Sequence, residues 1–282
     1  SSAQACTLWS ANGNAVRGGG TLIVKNRDWR PDHNQILRMV IPETGYRYMG
    51  IYAMYGKSSH GLKAGINEKG LVIVTASASS IPAQERKTDA GKNSSAIKHP
   101  YEAILRTCST VEDVLKQERI FAGPQFIMAA DKTETALLEI GPDGHYAASV
   151  EKNGYMYHTN HYILQSMTSF NKTAGISSLT RYDRIGELLG SAGTPFTLDT
   201  FSSFAMDQHD GPDNSILRTG STPGKTRTLA TWAVYIPEEG SPVIRIRLMN
   251  PRAQEQTAEF TADDVFSGKE NALIQTKKEP VS

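Results

Sequence analysis

Ser1-Ser-Ala-Gln-Ala-Cys-Thr-Leu-Trp9, written SSAQACTLW, sets one of only two cysteines directly behind a small-x-small triplet, Ala3-Gln4-Ala5. Signal peptidases cut after triplets of that kind. A cut between Ala5 and Cys6 would put a thiol and a free α-amino group on the same terminal residue. A thiol with a pKa of about 8.5 is only a few per cent thiolate at pH 7 and needs a base or a cationic neighbour. A terminal α-amino group, with a typical pKa of roughly 7.7 to 8.0, is a base supplied by the same residue. Two plainer readings stand beside this one. The triplet can be a residual leader before an ordinary N-terminus, and Cys6 can be a small buried hydrophobe preceding a strand. A lipid-anchored cysteine is a third option, weakened because Ala3 stands where a lipobox carries Leu.

The bulk of the chain narrows the class of protein around that cysteine. With 282 residues, 39% of them hydrophobic, it can bury a large core. No linker divides it, so the expected layout is a leader at 1–5, one domain over 6–264 and a polar tail over 265–282. The net charge is +1 and the basic residues are scattered, so there is no stripe for a phosphate backbone and nucleic acid is not an expected partner. No apolar run approaches the roughly 18 residues of a membrane span, which argues against an integral membrane segment. Cys6 and Cys108 lack metal-type spacing with histidine, so neither a metal nor a cofactor is expected. The triplet before Cys6 points to a periplasmic or secreted location, with the cytoplasm as the alternative.

Strand-like runs dominate the first third, at 21–25 (TLIVK), 36–41, 46–55 and 71–75 (LVIVT). Gly65-Ile-Asn-Glu-Lys-Gly70 reads as a hairpin turn, with Asn67 and Gly70 expected at positive φ. Residues 79–95 are polar and rich in turn formers, a lid over a site or a plain surface loop. Ile97, Tyr101, Ile104 and Leu105 fall on one helical face, and Thr110-Val-Glu-Asp113 opens a second helix with a capping-box pattern. Strands return at 125–130, 135–140, 146–150 and 155–159. Helices are expected at 178–189 and 198–206, and strands at 228–236 and 243–249. Strand blocks separated by helix pairs predict an α+β fold of antiparallel sheets with helices outside them.

Three further stretches could carry chemistry. Lys25-Asn-Arg-Asp-Trp29 (KNRDW) ends a strand with a cation that could stabilise a thiolate and a carboxylate that could orient an amino group. Its plain reading is a surface ion pair and turn. Tyr155-Met-Tyr-His-Thr-Asn-His-Tyr162 sets Asn160 at a strand exit, where its amide could serve a developing oxyanion or simply shape a turn. His158 and His161 could suggest a metal, but no third ligand accompanies them. Ile176-Ser-Ser-Leu-Thr-Arg-Tyr-Asp-Arg184 enters a helix, with Arg181 either reaching a thiolate or pairing with acids on the surface.

Taken in order, these stretches resemble the choloylglycine hydrolase and acyltransferase group of N-terminal nucleophile hydrolases, which includes bile salt hydrolases, penicillin V acylases and the acyl-coenzyme A:6-aminopenicillanate acyltransferase type. Cys6-Thr7 is similar to that group's mature start, and Lys25-Asn26-Arg27-Asp28 to its R/K-N-x-D element. Gly65-Ile-Asn-Glu-Lys-Gly-Leu71 resembles its hairpin, Thr159-Asn160 its T-N element, and Ser177-Ser-Leu-Thr-Arg-Tyr-Asp-Arg184 its S-S-x-x-R-x-x-R helix entry. The resemblance implies a four-layer αββα sandwich, with the main-chain N–H of Ser77 as an oxyanion donor beside Asn160. It also implies Asp28 as the holder of the α-amino group, with Lys25 and Arg181 as site cations. Lys25 departs from the arginine of bile salt hydrolases, and Ser77 replaces their asparagine. The activity implied is cleavage of a small-molecule N-acyl amide through a thioester, with homo-oligomers frequent in the group. An acyltransferase on the same thioester and a non-catalytic small-amide-binding protein are the alternatives.

Overall fold

The computed structural model describes residues 5–93, 95–117 and 120–280; of the expected leader only Ala5 falls among them. The chain opens with strands β1 (Ala5–Asn12), β2 (Thr21–Trp29), β3 (Asn34–Pro42), β4 (Tyr48–Tyr55), β5 (Ser58–Asn67) and β6 (Val72–Ala76). Helices α1 (Ala83–Ala90), α2 (Pro100–Thr107) and α3 (Val111–Leu115) follow, then β7 (Gln125–Ala130), β8 (Thr135–Ile140), β9 (Tyr146–Glu151) and β10 (Tyr155–His158). Next come α4 (Ile176–Ala192), α5 (Leu198–Phe204) and the short α6 (Gly211–Asn214). The chain closes with β11 (Arg227–Ile236), β12 (Val243–Leu248), β13 (Gln256–Thr261), α7 (Ala262–Phe266) and β14 (Ile274–Glu279).

These strands make two sheets. The smaller runs β10-β1-β2-β11-β12-β13, the larger β14-β3-β4-β5-β6-β7-β8-β9. Because side chains alternate across a strand, each sheet has an inner and an outer face. Leu8, Ile23 and Trp232 from the small sheet meet Met49, Val72, Val74 and Phe126 from the large one in the central core. The neighbours Trp9, Val24 and Ala233 point outward onto Ile185 and Leu189 of α4 and Phe201 of α5. On the other side Ile73, Ile127 and Leu138 meet Ile104 and Leu105 of α2 and Val111 of α3. The result is the helix–sheet–sheet–helix sandwich that the resemblance implies. Covered on both faces, β1 is buried at every position, so its sequence shows no polar alternation.

Local chemistry sets several boundaries. Thr110 and Asp113 form the reciprocal capping box that opens α3. Gly65 lets α2 approach the sheet, since a Cβ there would lie 2.7 Å from Leu105 Cδ1.

The structure departs from the sequence reading at several places. The hairpin after β5 takes positive φ at Gly70 but not at Asn67, whose side chain does the turning instead. Its Oδ1 accepts from the main-chain N–H of Lys69 and Leu71, while its Nδ2 donates to the carbonyls of Leu105 and Cys108. The stretch 79–95 is not simply a loop, because α1 occupies its middle. Residues 265–282, read as a polar tail, contain β14, which pairs in parallel with β3. Main-chain pairing of an edge strand needs no apolar alternation, and this one is mostly exposed. Finally, β13 and α7 lie in a stretch without strong periodicity and were not expected.

Candidate active site

The cysteine lies in β1, between β10 and β2, with Cys6 opposite Arg27 and Ala5 opposite Asp28. Alternation therefore places Cys6, Lys25 and Arg27 on the inner face of the small sheet, and Thr7 and Asp28 on the outer face. Arg181 comes from α4 and Asn160 from the segment that leaves β10. All of Cys6, Lys25, Asp28, Asn160 and Arg181 are buried.

Asn160 links the parts. Its Oδ1 accepts the main-chain N–H of Cys6 at 2.9 Å and Arg181 Nη2 at 2.9 Å. Two donors on that atom identify it as the oxygen, so the opposite atom is the amide nitrogen. That nitrogen, Nδ2, donates to the Ser77 carbonyl at 2.9 Å. It carries a second hydrogen as well. Arg181 also donates to the carbonyl of Cys6 at 2.7 Å, to Thr7 Oγ1 at 3.1 Å and to Ser177 Oγ at 2.9 Å. Residues separated by more than 150 positions are thus joined around the main chain of Cys6.

The electrostatics are those of buried cations. Lys25 Nζ donates to Thr75 O at 2.5 Å, to Lys63 O at 3.0 Å and to Thr75 Oγ1 at 3.2 Å. Burial lowers its pKa to about 8, opposed by the Cys6 sulfur and Asp28 and reinforced by Arg27. Burial also lowers Arg181 to about 10, with Asp28 pulling the other way. Asp28 is pushed upward by desolvation, against the pull of Arg218, Arg181, Thr228 and Arg27. Its Oδ1 accepts from Thr228 Oγ1 at 2.8 Å, while its Oδ2 is buried without a hydrogen-bond partner among the described residues.

The sequence reading missed several parts of this arrangement. Thr228 and Arg218 reach Asp28 from a remote strand and its approach, with Arg218 Nη1 at 4.0 Å from Oδ2. Ser178 Oγ accepts the Asn160 N–H at 2.9 Å; the residue lies in the helix-entry motif but gave no separate signal. Glu139, on β8, lies 2.6 Å from His158 Nε2 and accepts the main-chain N–H groups of Ile163 and Leu164. It holds the Asn160 segment from both ends. His158 and His161 do not converge on one point, since His161 Nδ1 lies 2.8 Å from Ser178 Oγ instead. A surface cavity of about 1100 Å³, lined by Glu68, Lys69, Glu238 and Asp263 among others, sits at the far end of the sandwich, by the Ile236 end of β11. Cys6 lies toward the other end of the same sheet, so cavity size does not locate the chemistry.

Comparison with known proteins adds the following. Among curated protein sequences none matches. Among solved structures, penicillin V acylase from Agrobacterium tumefaciens superposes with a TM-score of 0.52 at 13% identity, over 90% of this chain and 86% of that one. A variant of conjugated bile acid hydrolase from Clostridium perfringens gives 0.48 at 13% identity, over 96% and 98%. The first likeness supports a shared fold. A family profile described as acyl-coenzyme A:6-aminopenicillanic acid acyl-transferase matches residues 16–253, a span that takes in Lys25, Asp28, Asn160 and Arg181. The chain belongs to the acyl-coenzyme A:6-aminopenicillanic acid acyl-transferase family.

Proposed function

We propose that this chain hydrolyses a linear amide bond of an N-acyl compound, with Cys6 as nucleophile once residues 1–5 are removed. The observation that carries the reading is the junction at Cys6, where Asn160 holds the nitrogen and Arg181 the carbonyl of one residue. While Ala5 is attached, that nitrogen is an amide that donates a hydrogen bond and cannot take a proton. This form is expected to be inactive. Removal of residues 1–5 converts it into an amine with a basic lone pair. Asp28 Oδ2, buried, without a hydrogen-bond partner among the described residues and on the strand position opposite Ala5, is the acceptor we assign to the new N–H.

In the reaction, the amine takes the thiol proton as the sulfur attacks the amide carbonyl. The second Nδ2 hydrogen of Asn160 and the main-chain N–H of Ser77 stabilise the oxyanion, a donor pair of which either member is worth roughly 10²- to 10³-fold in rate. The ammonium then protonates the leaving nitrogen, the C–N bond breaks and a thioester remains. Water attacks the thioester, losing its proton to the same amine, and the acid departs. Lys25, in reach of the sulfur's field, stabilises the thiolate, and Arg181 fixes the amide of Asn160. Export to the periplasm or beyond is part of the proposal, since signal cleavage after Ala5 would expose the nucleophile.

The family match favours a second reading, in which an amine rather than water takes the acyl group from the same thioester. Comparing hydrolysis with aminolysis of one chromogenic amide separates the two. The test of both is a Cys6→Ala variant alongside mass spectrometry of the N-terminus. Turnover is expected only from chains that begin at Cys6 and is expected to vanish in the variant. An active variant, or an uncleaved chain of full activity, overturns the reading.

A further inference from the structure

Cys6 and Arg27 are register partners, and Lys25 stands two residues along the same strand, so their three side chains share one patch of the inner face. The large sheet opposite contributes Gln35 from β3 and Lys63 from β5. Lys63 is the extra residue of a bulge, because the β4–β5 pairing steps from Ile51 opposite Ala64 to Tyr52 opposite Leu62. Bulges re-aim side chains. This one brings Lys63 into the field of Arg27, Lys25 and Cys6, and burial together with the two cations lowers its pKa to about 7.

Among the described residues, none of these three cations hydrogen-bonds a carboxylate. Lys25 is satisfied by carbonyls and a hydroxyl. Arg27 is 4% exposed, and among the described residues only its Nε has a hydrogen-bond partner, Gln35 Oε1 at 2.6 Å. Gln35 is itself fixed by the carbonyl of His33 at 2.9 Å, and the Trp29 ring lies 5.3 Å from the guanidinium carbon. The guanidinium is therefore held on one edge and one face, with both Nη groups left to donate. Asp28 sits on the other face of β2 and is engaged by Thr228. A single thiolate compensates a single charge, and a buried guanidinium without a counter-ion is costly. Its planar fork matches a carboxylate.

We propose that Arg27 and Lys63 form a carboxylate subsite beside Cys6, so that the substrate is an N-acyl compound bearing a carboxylate close to the scissile amide. That the carboxylate belongs to a substrate rests on the amidase reading; the subsite itself does not. The experiment is therefore chosen to read the subsite without turnover. The full chain is alkylated with iodoacetate and, separately, with iodoacetamide, and modification of Cys6 is followed by peptide mass spectrometry, which keeps Cys108 apart. Both reagents lose iodide to the same thiolate, so the ratio of their rates cancels thiolate content. The ratio measured on the urea-unfolded chain is the reference.

The folded chain is expected to favour iodoacetate over that reference by roughly tenfold or more, the equivalent of about 1.4 kcal/mol. Arg27→Gln and Lys63→Met are each expected to remove most of the preference, and Arg27→Lys, which keeps the charge, to retain part of it. A folded-chain ratio equal to the reference overturns the proposal. So does a preference that survives both neutral substitutions in chains that still melt cooperatively, and so does a Cys6 that neither reagent reaches. Turnover then locates the carboxylate. N-phenylacetylglycine carries it on the amine half and an N-succinyl anilide on the acyl half, and preference for either over its neutral amide supports the subsite. Equal turnover of charged and neutral partners counts against it, whereas a chain that turns over no amide yet prefers iodoacetate refutes the amidase reading alone.

Discussion

The guanidinium of Arg181 donates to Cys6 O, Thr7 Oγ1, Asn160 Oδ1 and Ser177 Oγ, which ties the nucleophile strand, the Asn160 segment and α4 to one buried group. Its charge alone does not do this. A lysine keeps the charge but has one donor point in place of a planar fork. Arg181→Lys is expected to lower stability by roughly 2 to 4 kcal/mol, because two or more buried acceptors lose their donor, and to reduce turnover at least about 100-fold as Asn160 is freed. Urea unfolding and steady-state rates on one preparation measure both. Unchanged stability would show that the bridge contributes nothing to the fold. The identity of Arg181 was legible in its helix-entry motif, but apart from Ser177 its partners were not, because Asn160, Thr7 and Cys6 lie 21 to 175 positions away.

At the level of elements, the segment from β10 to Leu164 matters most, since it carries Asn160 without regular structure of its own. Glu139 restrains it from the neighbouring sheet, receiving two main-chain N–H groups after Asn160 and facing His158 before it. Both Glu139 and His158 are fully buried. Glu139→Gln turns one acceptor oxygen into a donor against N–H groups that must still donate, a mismatch worth roughly 1 to 3 kcal/mol. Hydrogen exchange at Ile163 and Leu164 is expected to accelerate in this variant while amides in β2 and β11 stay protected. Uniform acceleration throughout would instead mean a general loss of stability. Nothing in the heptapeptide around Glu139 marks it in sequence, since a lone acid in an apolar strand has no local partner to announce its role.

For the molecule as a whole, titration of buried groups sets the acid limit of stability. Burial lowers the pKa of His161 to about 4, with His158 and Arg181 adding to the effect. In the unfolded chain the value returns to about 6.5. Between the two the unfolded state binds more protons, so stability rises with pH across that window. The contribution is complete above about 6.5 and is lost as pH falls through 4. Urea midpoints followed from pH 7 to pH 4 are expected to fall less steeply in His161→Gln, by at most about 1.4 kcal/mol per pH unit. A variant with an unaltered slope would mean that His161 takes up no proton on unfolding. The window exists because α4 packs over the His161 ring through Ser178 and Tyr182, a feature of the assembled molecule and not of the segment that carries His161.

Sequence alone determined the alternation of strand blocks with helical blocks, the capping box at Thr110 and the motifs holding Cys6, Lys25, Asp28, Asn160 and Arg181. Each of these is written in neighbouring residues, through side-chain periodicity, cap chemistry or a short motif, and can be read without knowing what lies across the fold. Tertiary structure alone decided that Asn160 turns its oxygen to Cys6 and its nitrogen to Ser77, that a bulge carries Lys63 to Arg27, and that Glu139 restrains the Asn160 segment. It also decided that a polar stretch near the C-terminus becomes β14. The physical reason is common to all four. Hydrogen bonds and fields act through space over a few ångströms, and the residues they join here are remote along the chain.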